Sequence, residues 1–196
     1  MADFEADFHH ETEHLILRDW REEDWPRFWE LTNTPAVMRW LGGVANEVTR
    51  QGAMDRLATY RRKFGHTFWV VERKDDGGHL SGEMLGFCGL KRANAQGSPV
   101  FDMVEIGWRL REDAWGRGYA KEAAIASLDV GFTKFGAETI IALTVDGNAA
   151  SWGLMRKLGM ARRDDLDYRD DNWPTELNPT IVYVITAREW AQRGYG

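Results

Sequence analysis

The sequence is poor in cysteine, in long apolar runs and in positive charge, and each shortage excludes a class of protein. Cys88 is the single cysteine, so an internal disulfide framework is impossible. No uncharged apolar run approaches the roughly eighteen residues of a membrane-spanning helix. With 25 Lys and Arg against 31 Asp and Glu, the net charge is −6, which argues against a nucleic-acid partner.

The start of the chain carries no pattern of an exported protein. The run MADFEADFHH lacks a basic segment, so we expect no secretory signal and a cytoplasmic protein. The 196 residues suffice for one domain with a sizeable core, and no linker or break in composition marks a second. We predict a loose acidic leader over 1–12, a single domain over 13–190 and a tail over 191–196.

Apolar periodicity predicts alternating groups of strands and helices. Strands are predicted over 14–20, 66–73, 83–92, 100–110, 139–145 and 180–186, with a short one just after 160. Helices are predicted over 22–32, 49–65, 118–135 and 148–160. Three successive strands favour an antiparallel meander, and the later strand–helix–strand unit favours a parallel pair. The prediction is a mixed α/β fold with helices on the faces of the sheet.

Two glycines, one residue apart, precede the helix predicted from 118 in the run EDAWGRGYAKEAA. Gly116 and Gly118 let a ligand approach the backbone closely. The start of a helix offers unpaired amide groups and the positive end of a dipole. Together they form a natural seat for a phosphate, which a nucleoside triphosphate, a dinucleotide or coenzyme A could supply.

Two of these three ligands are disfavoured by the motifs that they need. The pattern G-x-x-x-x-G-K-[ST] of a nucleoside-triphosphate loop is absent. The dinucleotide pattern G-x-G-x-x-G fails at Lys121, and the glycines follow several strands instead of the first. What remains is WGRGYA after a long strand ending at Leu110.

Two runs, VEIGWRLREDAWGRGYAKEAA and VDGNAASWGLMRKLGM, resemble the GNAT superfamily of acetyl-CoA-dependent N-acetyltransferases. The resemblance extends from about His14 to Glu189 and is greatest to the branch of ribosomal-protein N-terminal acetyltransferases. The family loop Q/R-x-x-G-x-G/A matches residues 115–120, with Trp115 replacing Gln or Arg. The family helix N-x-x-S, followed by K-L-G, matches Asn148, Ser151 and residues 157–159.

The resemblance implies a fold, a reaction and a cofactor. It implies a central mixed sheet of about seven strands, an antiparallel meander plus a splayed parallel pair, with helices on both faces. It implies transfer of an acetyl group from acetyl-CoA to a primary amine, on a protein N-terminus or a small molecule. The cofactor-binding residues it implies are Gly116, Arg117, Gly118, Tyr119 and Ala120 at the phosphates, and Trp108, Arg109, Leu110 and Asn148 along the pantetheine arm.

Acetyl transfer requires a base for the amine and a proton for the departing thiolate. Glu105 is the candidate base, acting directly or through water; a salt-bridged carboxylate is the competing interpretation. Ser151 is the candidate proton donor; a serine that satisfies a free amide in the first helical turn is the competing one. Tyr168 and Tyr183 are reserve donors. Because Cys88 lies away from both motifs, we expect direct transfer in a ternary complex.

Two other functions are weighed against this one. HETEH, from His10 to His14, matches a zinc motif, but it runs straight into a strand pattern, so we predict no metal site. A non-catalytic acyl-CoA sensor on the same fold would keep the phosphate loop and have no need of Glu105 and Ser151.

The sequence indicates less clearly which residues bind the amine acceptor. The aspartates between 164 and 171 form either a solvated loop or an acidic rim that attracts a cationic amine. Four early tryptophans either line an acceptor pocket or fill the core, and core filling is favoured; they are Trp20, Trp25, Trp29 and Trp40. Exposed Trp and Phe side chains would favour a homodimer.

Overall fold

The computed structural model describes residues 7–194, and at its centre lies one eight-stranded mixed sheet. Its order is β1-β2-β3-β4-β5-β6-β8-β7. Neighbouring strands are antiparallel except β5 and β6, which are parallel. The mixed sheet is therefore confirmed, with one strand more than expected. The strands are β1 His9–Glu11, β2 Leu15–Arg18, β3 Phe68–Arg73, β4 Met84–Arg92, β5 Val104–Leu110, β6 Thr139–Val145, β7 Ala161–Arg162 and β8 Thr180–Thr186.

Helices cover both faces of the sheet, as predicted. One face packs against α4, α5 and α6 through a core that includes Leu128, Met155 and Trp190. The other face, across β3 and β4, packs against α1 and α3 through an aromatic core that includes Phe28 and Leu57. The helices are α1 Asp24–Thr32, α2 Pro35–Met38, α3 Glu47–Phe64, α4 Tyr119–Thr133, α5 Ala149–Lys157 and α6 Ala187–Ala191.

The parallel pair β5 and β6 separates partway along its length. Register pairs join Val104 to Ile140, Glu105 to Ile141 and Ile106 to Ala142, and there the ladder stops. Beyond that point β5 continues to Leu110 on β4 alone, while β6 continues on β8. A gap with backbone groups along its β5 side therefore opens in the sheet.

The expected loose leader is wrong over its last residues. His9–Glu11 form strand β1, which pairs with β2 at the edge of the sheet. Phe8 is buried and stacks on Trp69 with 4.0 Å between ring centroids, and this packing holds the segment in place. Residues 1–6 and 195–196, which include part of the predicted leader and tail, lie outside the described residues.

Two short helices were not predicted. Thr34 caps α2 by accepting a hydrogen bond from the Val37 amide, and Thr186 with Glu189 forms a capping box on α6. Each helix is too short to show a 3.6-residue apolar period, so caps rather than periodicity define them. Over residues 7–194, no helix is both long enough and apolar enough to cross a membrane.

Candidate active site

The glycine-rich loop leads into α4 with backbone amides that are unpaired within residues 7–194. Gly116 and Gly118 have φ values of 69° and 88°, and no neighbouring atom lies within 4 Å of where a side chain would begin. Gly118 is the N-cap of α4, and because glycine has no side chain it cannot cap the first turn. The first helical bond runs from the Glu122 amide to the Gly118 carbonyl at 3.0 Å. The preceding amides have no hydrogen-bond partner among residues 7–194, and the space beside both glycines is open, which suits a phosphate.

Some side chains around this loop bond to other parts of the fold, whereas others are exposed and can contact a ligand. Tyr119 is buried, and its hydroxyl donates to the His79 carbonyl at 3.1 Å and accepts from Arg73 at 3.3 Å. Tyr119 can therefore offer a ligand only its backbone. Arg117 is exposed and makes no ion pair with any residue in 7–194, so its charge is available to an anion. Ala120, in the first turn, adds one more amide.

Trp115 ties the loop to the strand beside the gap. Its indole nitrogen donates to the Leu110 carbonyl at 3.0 Å, while its ring is 51% exposed. The bond fixes the phosphate loop at the open end of β5. Residues 107–110, which include Trp108 and Arg109, have no strand paired on their β6 side. An amide-bearing chain could therefore bond to the β5 edge and reach the loop, as pantetheine attached to a pyrophosphate would require.

Asn148 and Ser151 lie where β6 leads into α5, on the far side of the same gap. The Asn148 side-chain oxygen accepts from the Ser151 amide at 3.3 Å, so Asn148 caps the helix. The Ser151 hydroxyl has no hydrogen-bond partner among residues 7–194 and is half-buried. Capping explains Asn148, whereas the free hydroxyl of Ser151 is available to a ligand.

Glu105 lies on β5 next to the point where the gap begins. Its side chain is only 11% exposed, and its Oε2 atom pairs with the Lys91 ammonium from β4. Its face is shared with Gly107, where a Cβ would lie 2.7 Å from the Phe68 ring. Glu105 therefore points toward the side that carries α1 and α3. The geometry therefore agrees with the interpretation of Glu105 as a salt-bridged carboxylate. Its Oε1 atom has no protein partner among the described residues.

The two reserve tyrosines lie on opposite faces of the sheet. Burial, together with the Glu105 carboxylate, raises the pKa of Tyr168 to about 12, so its hydroxyl keeps its proton at neutral pH. Burial and Glu105 also raise the pKa of Tyr60. Tyr183 is buried in the core on the α4 side, with the Arg162 guanidinium 5.8 Å from its ring centroid. Tyr168 therefore shares the electrostatic surroundings of Glu105, and Tyr183 lies in the opposite core.

Cys88 and the HETEH run at residues 10–14 both contribute to the packing of the fold. Cys88 is fully buried, and burial raises the pKa of its thiol to about 12. His10 belongs to strand β1, so His10 and His14 do not share a helix turn. His14 instead contacts Glu122 on α4 at 3.0 Å.

Two of the five aspartates of the acidic loop are paired with neighbouring arginines. Arg163 pairs with Asp165 at 2.6 Å, and Arg162 pairs with Asp167. Asp170 accepts hydrogen bonds from Asn172 within the same loop. These contacts favour the solvated-loop interpretation over an acidic rim.

Three of the four early tryptophans fill the core. Trp20 and Trp25 stack with centroids 3.8 Å apart, and Trp29 packs edge-on to Phe28 at 4.9 Å. Trp40 differs, because a Cβ on Gly147 would lie 2.7 Å from its ring. It therefore covers the turn just before α5, beside the gap.

A family model described as an acetyltransferase (GNAT) domain matches residues 14–161. The chain belongs to the GNAT family. Relatives named as N-acetyltransferases and the matching domain together make it an acyltransferase of the N-acetyltransferase class. In this GNAT domain the glycine-rich loop, the strand gap and Glu105 all lie between the start of β5 and the start of α4.

Three similar proteins show how far the likeness extends. The uncharacterized N-acetyltransferase YnaD of Bacillus subtilis (strain 168) is 28% identical over 93% of this chain and 99% of its own. An acetyltransferase structure from Agrobacterium tumefaciens str. C58 has a TM-score of 0.75 and 26% identity, covering 92% of this chain and 95% of its own. A spermidine N-acetyltransferase from Vibrio cholerae, in complex with CoA and spermine, shares the fold with a TM-score of 0.70 and 16% identity, covering 92% and 99%.

Two features of this GNAT domain were missed from the sequence. One is Lys91 as the partner of Glu105, which depends on the register between β4 and β5. The other is the position of the Arg109 guanidinium among aromatic rings, since the family resemblance implies a role only for the Arg109 backbone. The alternation of β5 could have located it, since Arg109 shares its face with Glu105.

Proposed function

We propose that the protein transfers an acetyl group from acetyl-CoA to a primary amine by direct transfer in a ternary complex. The observation that carries the proposal is the continuous path from the open glycine loop to the unpaired edge of β5. Gly116 and Gly118 hold amides toward open space, and the gap beside 107–110 begins next to Glu105.

The residues present fit coenzyme A. The amides of residues 117–120 and the Arg117 guanidinium would hold the pyrophosphate. Backbone groups of Trp108, Arg109 and Leu110 would bond the pantetheine arm from one side, with Asn148 on the other. The Vibrio cholerae neighbour of the same fold carries CoA, which supports this assignment. When bound, acetyl-CoA supplies the acetyl thioester.

Glu105 removes a proton from the incoming ammonium group in this proposal. Lys91 occupies Oε2, so Oε1 is the atom that accepts the proton, directly or through one water. Placing this carboxylate in a protected position beside the gap brings it near any amine that reaches the thioester.

Ser151 supplies the proton that the departing thiolate requires. Its hydroxyl is free of protein partners among the described residues and lies at the start of α5, on the gap. Tyr168 is the reserve donor, since its raised pKa keeps the phenol protonated. A buried thiol with a pKa of about 12 is a poor nucleophile, so Cys88 supports direct transfer over an acetyl-enzyme.

The organisation and setting of the protein form part of the same proposal. We propose one acetyltransferase domain over residues 13–190, now extended by strand β1, in a cytoplasmic protein that could form a homodimer. The narrower branch of ribosomal-protein N-terminal acetyltransferases has no support from the relatives named above. The acceptor class therefore stays at a primary amine, on a small molecule or a protein N-terminus.

The decisive experiment follows thiol release from acetyl-CoA against a panel of small amines and N-terminal peptides. Turnover with the wild type that is lost in Glu105→Gln is the expected result. Tight coenzyme A binding without turnover on any acceptor would instead support a non-catalytic sensor. In that case Glu105→Gln and Ser151→Ala would leave coenzyme A binding unchanged.

A further inference from the structure

Arg109 places a guanidinium group among aromatic rings on the α1 side of the sheet. Its Cζ atom lies 5.4 Å from the ring centroid of Phe28, 5.6 Å from that of Trp29 and 5.2 Å from that of Phe87. Phe28 and Trp29 belong to α1, and Phe87 lies opposite Arg109 on β4. The charge is therefore enclosed by ring faces that attract it without accepting its hydrogen bonds.

Three buried donors on the residues of this aromatic enclosure lack acceptors. The Nε and Nη1 atoms of Arg109 and the Nε1 atom of Trp29 are shielded from solvent and have no hydrogen-bond partner among residues 7–194. No carboxylate within residues 7–194 forms an ion pair with Arg109. The Arg109 residue keeps some exposed surface, so the enclosure is not sealed. A cluster that contains donors and no acceptor is complementary to an anion.

Because Arg109 is charged, the lack of an anionic partner among the described residues is energetically costly. Burial lowers the pKa of Arg109 to about 10, so the guanidinium stays charged at neutral pH. Buried charges in folded proteins are normally paired, because removal from water is costly. Cation–π contacts offset part of that cost, but they leave the N–H groups unsatisfied.

The enclosure lies where an acceptor would bind. Arg109 is on the stretch of β5 that borders the gap, and its side chain points to the face shared with Glu105. The opposite face of the sheet is covered by α4, which begins with the phosphate loop. A substrate on the Glu105 side therefore meets the Arg109 enclosure.

We propose that Arg109, assisted by the Trp29 indole nitrogen, binds a carboxylate of the acceptor, so that the substrate is a primary amine bearing a carboxylate, such as an amino acid. This inference rests on the proposed acetyl transfer and names the substrate class of that site. Arg109 acts as a specificity-determining residue, and Glu105 acts on the amine of the same molecule. The arginine pairs of Asp165 and Asp167 reduce the negative charge that the 164–171 loop would offer to a polycation.

The test compares matched acceptors that differ only at the carboxylate. For each amino acid, kcat/KM is measured for the free acid and for its carboxamide. Because the carboxamide also changes the basicity of the amine, the quantity to follow is the acid-to-amide ratio in each variant relative to wild type. The wild type should favour the acid by at least about tenfold, as a charge-assisted contact allows.

Arg109→Met replaces the charge with an apolar chain of similar length, and the acid-to-amide ratio should fall to about a tenth of its wild-type value. Arg109→Lys keeps the charge without the planar fork and should give an intermediate ratio, which guards against a folding defect in the first variant. Trp29→Phe removes only the indole donor and should lower the ratio a few-fold. Arg27→Met, an exposed arginine of α1 that pairs with Glu30 and Glu83, is the control and should leave the ratio unchanged.

A wild-type ratio near one, or a ratio that Arg109→Met does not change, would overturn the inference. If no acceptor in the panel is turned over, acetyl transfer is what has failed, and a binding measurement still decides the role of Arg109. Acetate and N-acetyl amino acids are then titrated into the coenzyme A complex while tryptophan fluorescence is read. Saturable quenching that Arg109→Met abolishes supports the carboxylate site; quenching that is absent or equal in both proteins refutes it.

Discussion

The Lys91 ammonium on β4 binds the carboxylate of Glu105 on β5, directly beside the point where β5 and β6 separate. The two residues are register partners across the antiparallel ladder. Lys91 also contacts the Asn94 side chain at 3.5 Å, so the ammonium is held from two sides. The pair fixes one oxygen of the carboxylate and leaves the other free, which is the geometry that a positioned base requires.

Glu105→Gln keeps the shape of the side chain and removes its ability to accept a proton. We expect kcat to fall by roughly a hundredfold or more, the usual contribution of a general base. Affinity for acetyl-CoA should stay unchanged, since the carboxamide does not alter the glycine loop. Steady-state kinetics with acetyl-CoA titrated separately measure both quantities.

Glu11→Gln serves as the matched control for that variant, because Glu11 pairs with the Lys74 ammonium at 2.9 Å on β1, at the edge of the sheet away from β5. An equal loss of kcat in both variants, or full activity in Glu105→Gln, would remove Glu105 from the mechanism.

Capping and cofactor binding can be separated at Asn148. Asn148→Ala should cost about 1 kcal/mol of unfolding free energy, because the Ser151 amide loses its side-chain partner. Asn148→Ser restores a cap and should recover that stability. If Asn148 also bonds the cofactor, both variants should weaken coenzyme A binding measured by calorimetry. Recovery of affinity together with stability in Asn148→Ser would show that capping is its whole role.

Ser151→Ala tests the proton donor alone, since it leaves the amide that Asn148 caps. We expect kcat to fall about tenfold or more with little change in unfolding free energy. The deficit should shrink when the acyl donor carries a more acidic thiol, which needs no proton on departure. A deficit that is the same for both thioesters would contradict the assignment.

Gly118→Ala should weaken the phosphate loop in two ways. A side chain at a φ of 88° costs roughly 1–2 kcal/mol of folding free energy. The new methyl group would also stand where nothing lies within 4 Å, in the space that a phosphate needs. Coenzyme A affinity should therefore fall by more than the stability loss explains, as titration of the folded variant would show.

Gly52→Ala, in the middle of α3, is the control glycine and should raise stability by about 0.5–1 kcal/mol without affecting the cofactor. Equal coenzyme A affinity in wild type and Gly118→Ala would place the phosphate elsewhere.

Acid stability should depend on Asp24. Burial alone would raise the pKa of Asp24, but hydrogen bonds of 2.7 and 2.8 Å from Arg18 outweigh it, and the pKa lies below its ordinary 3.8. The stabilisation is therefore complete above the unfolded pKa and is lost as pH falls through the lower folded pKa.

Asp24→Asn should lower the unfolding free energy at pH 7 by about 2 kcal/mol, a moderate cost because Glu72 still pairs with Arg18. Its stability should then fall less steeply than that of wild type as the pH drops below about 4. Denaturant unfolding at several pH values measures both, and parallel curves for the two proteins would count against the pair.

The fold could be predicted from the sequence where burial produces an unambiguous pattern. The predicted strands over 139–145 and 180–186 coincide with β6 and β8 to the residue, because both are largely apolar on both faces and lie inside the sheet. The edge strand β1 was missed, because its three residues are mostly exposed and only pairing with β2 defines them.

The candidate site could be predicted only as far as contacts are local. The glycine loop and the Asn148 cap depend only on residues close together in sequence. In the structure, Gly118 lies at the N-cap of α4 and Asn148 at the N-cap of α5, as their motifs predict. The partner of Glu105 depends on the register of β4 against β5, and a one-residue shift would have turned Lys91 to the other face. The aromatic enclosure of Arg109 needs α1 to pack on β4 and β5, which no local pattern encodes.

The short parallel ladder between β5 and β6 also has a consequence for folding kinetics. Strands β1 to β5 follow the order of the chain, with α1 to α3 inserted between β2 and β3, and β6 to β8 form a second antiparallel group. Pairing β5 with β6 closes a loop that contains the whole of α4, and only three residue pairs form in return. We expect the amides of Val104 to Ile106 to be among the last protected during refolding, as pulsed hydrogen exchange would reveal. The strand pair that we expect to form last therefore borders the gap proposed for the cofactor.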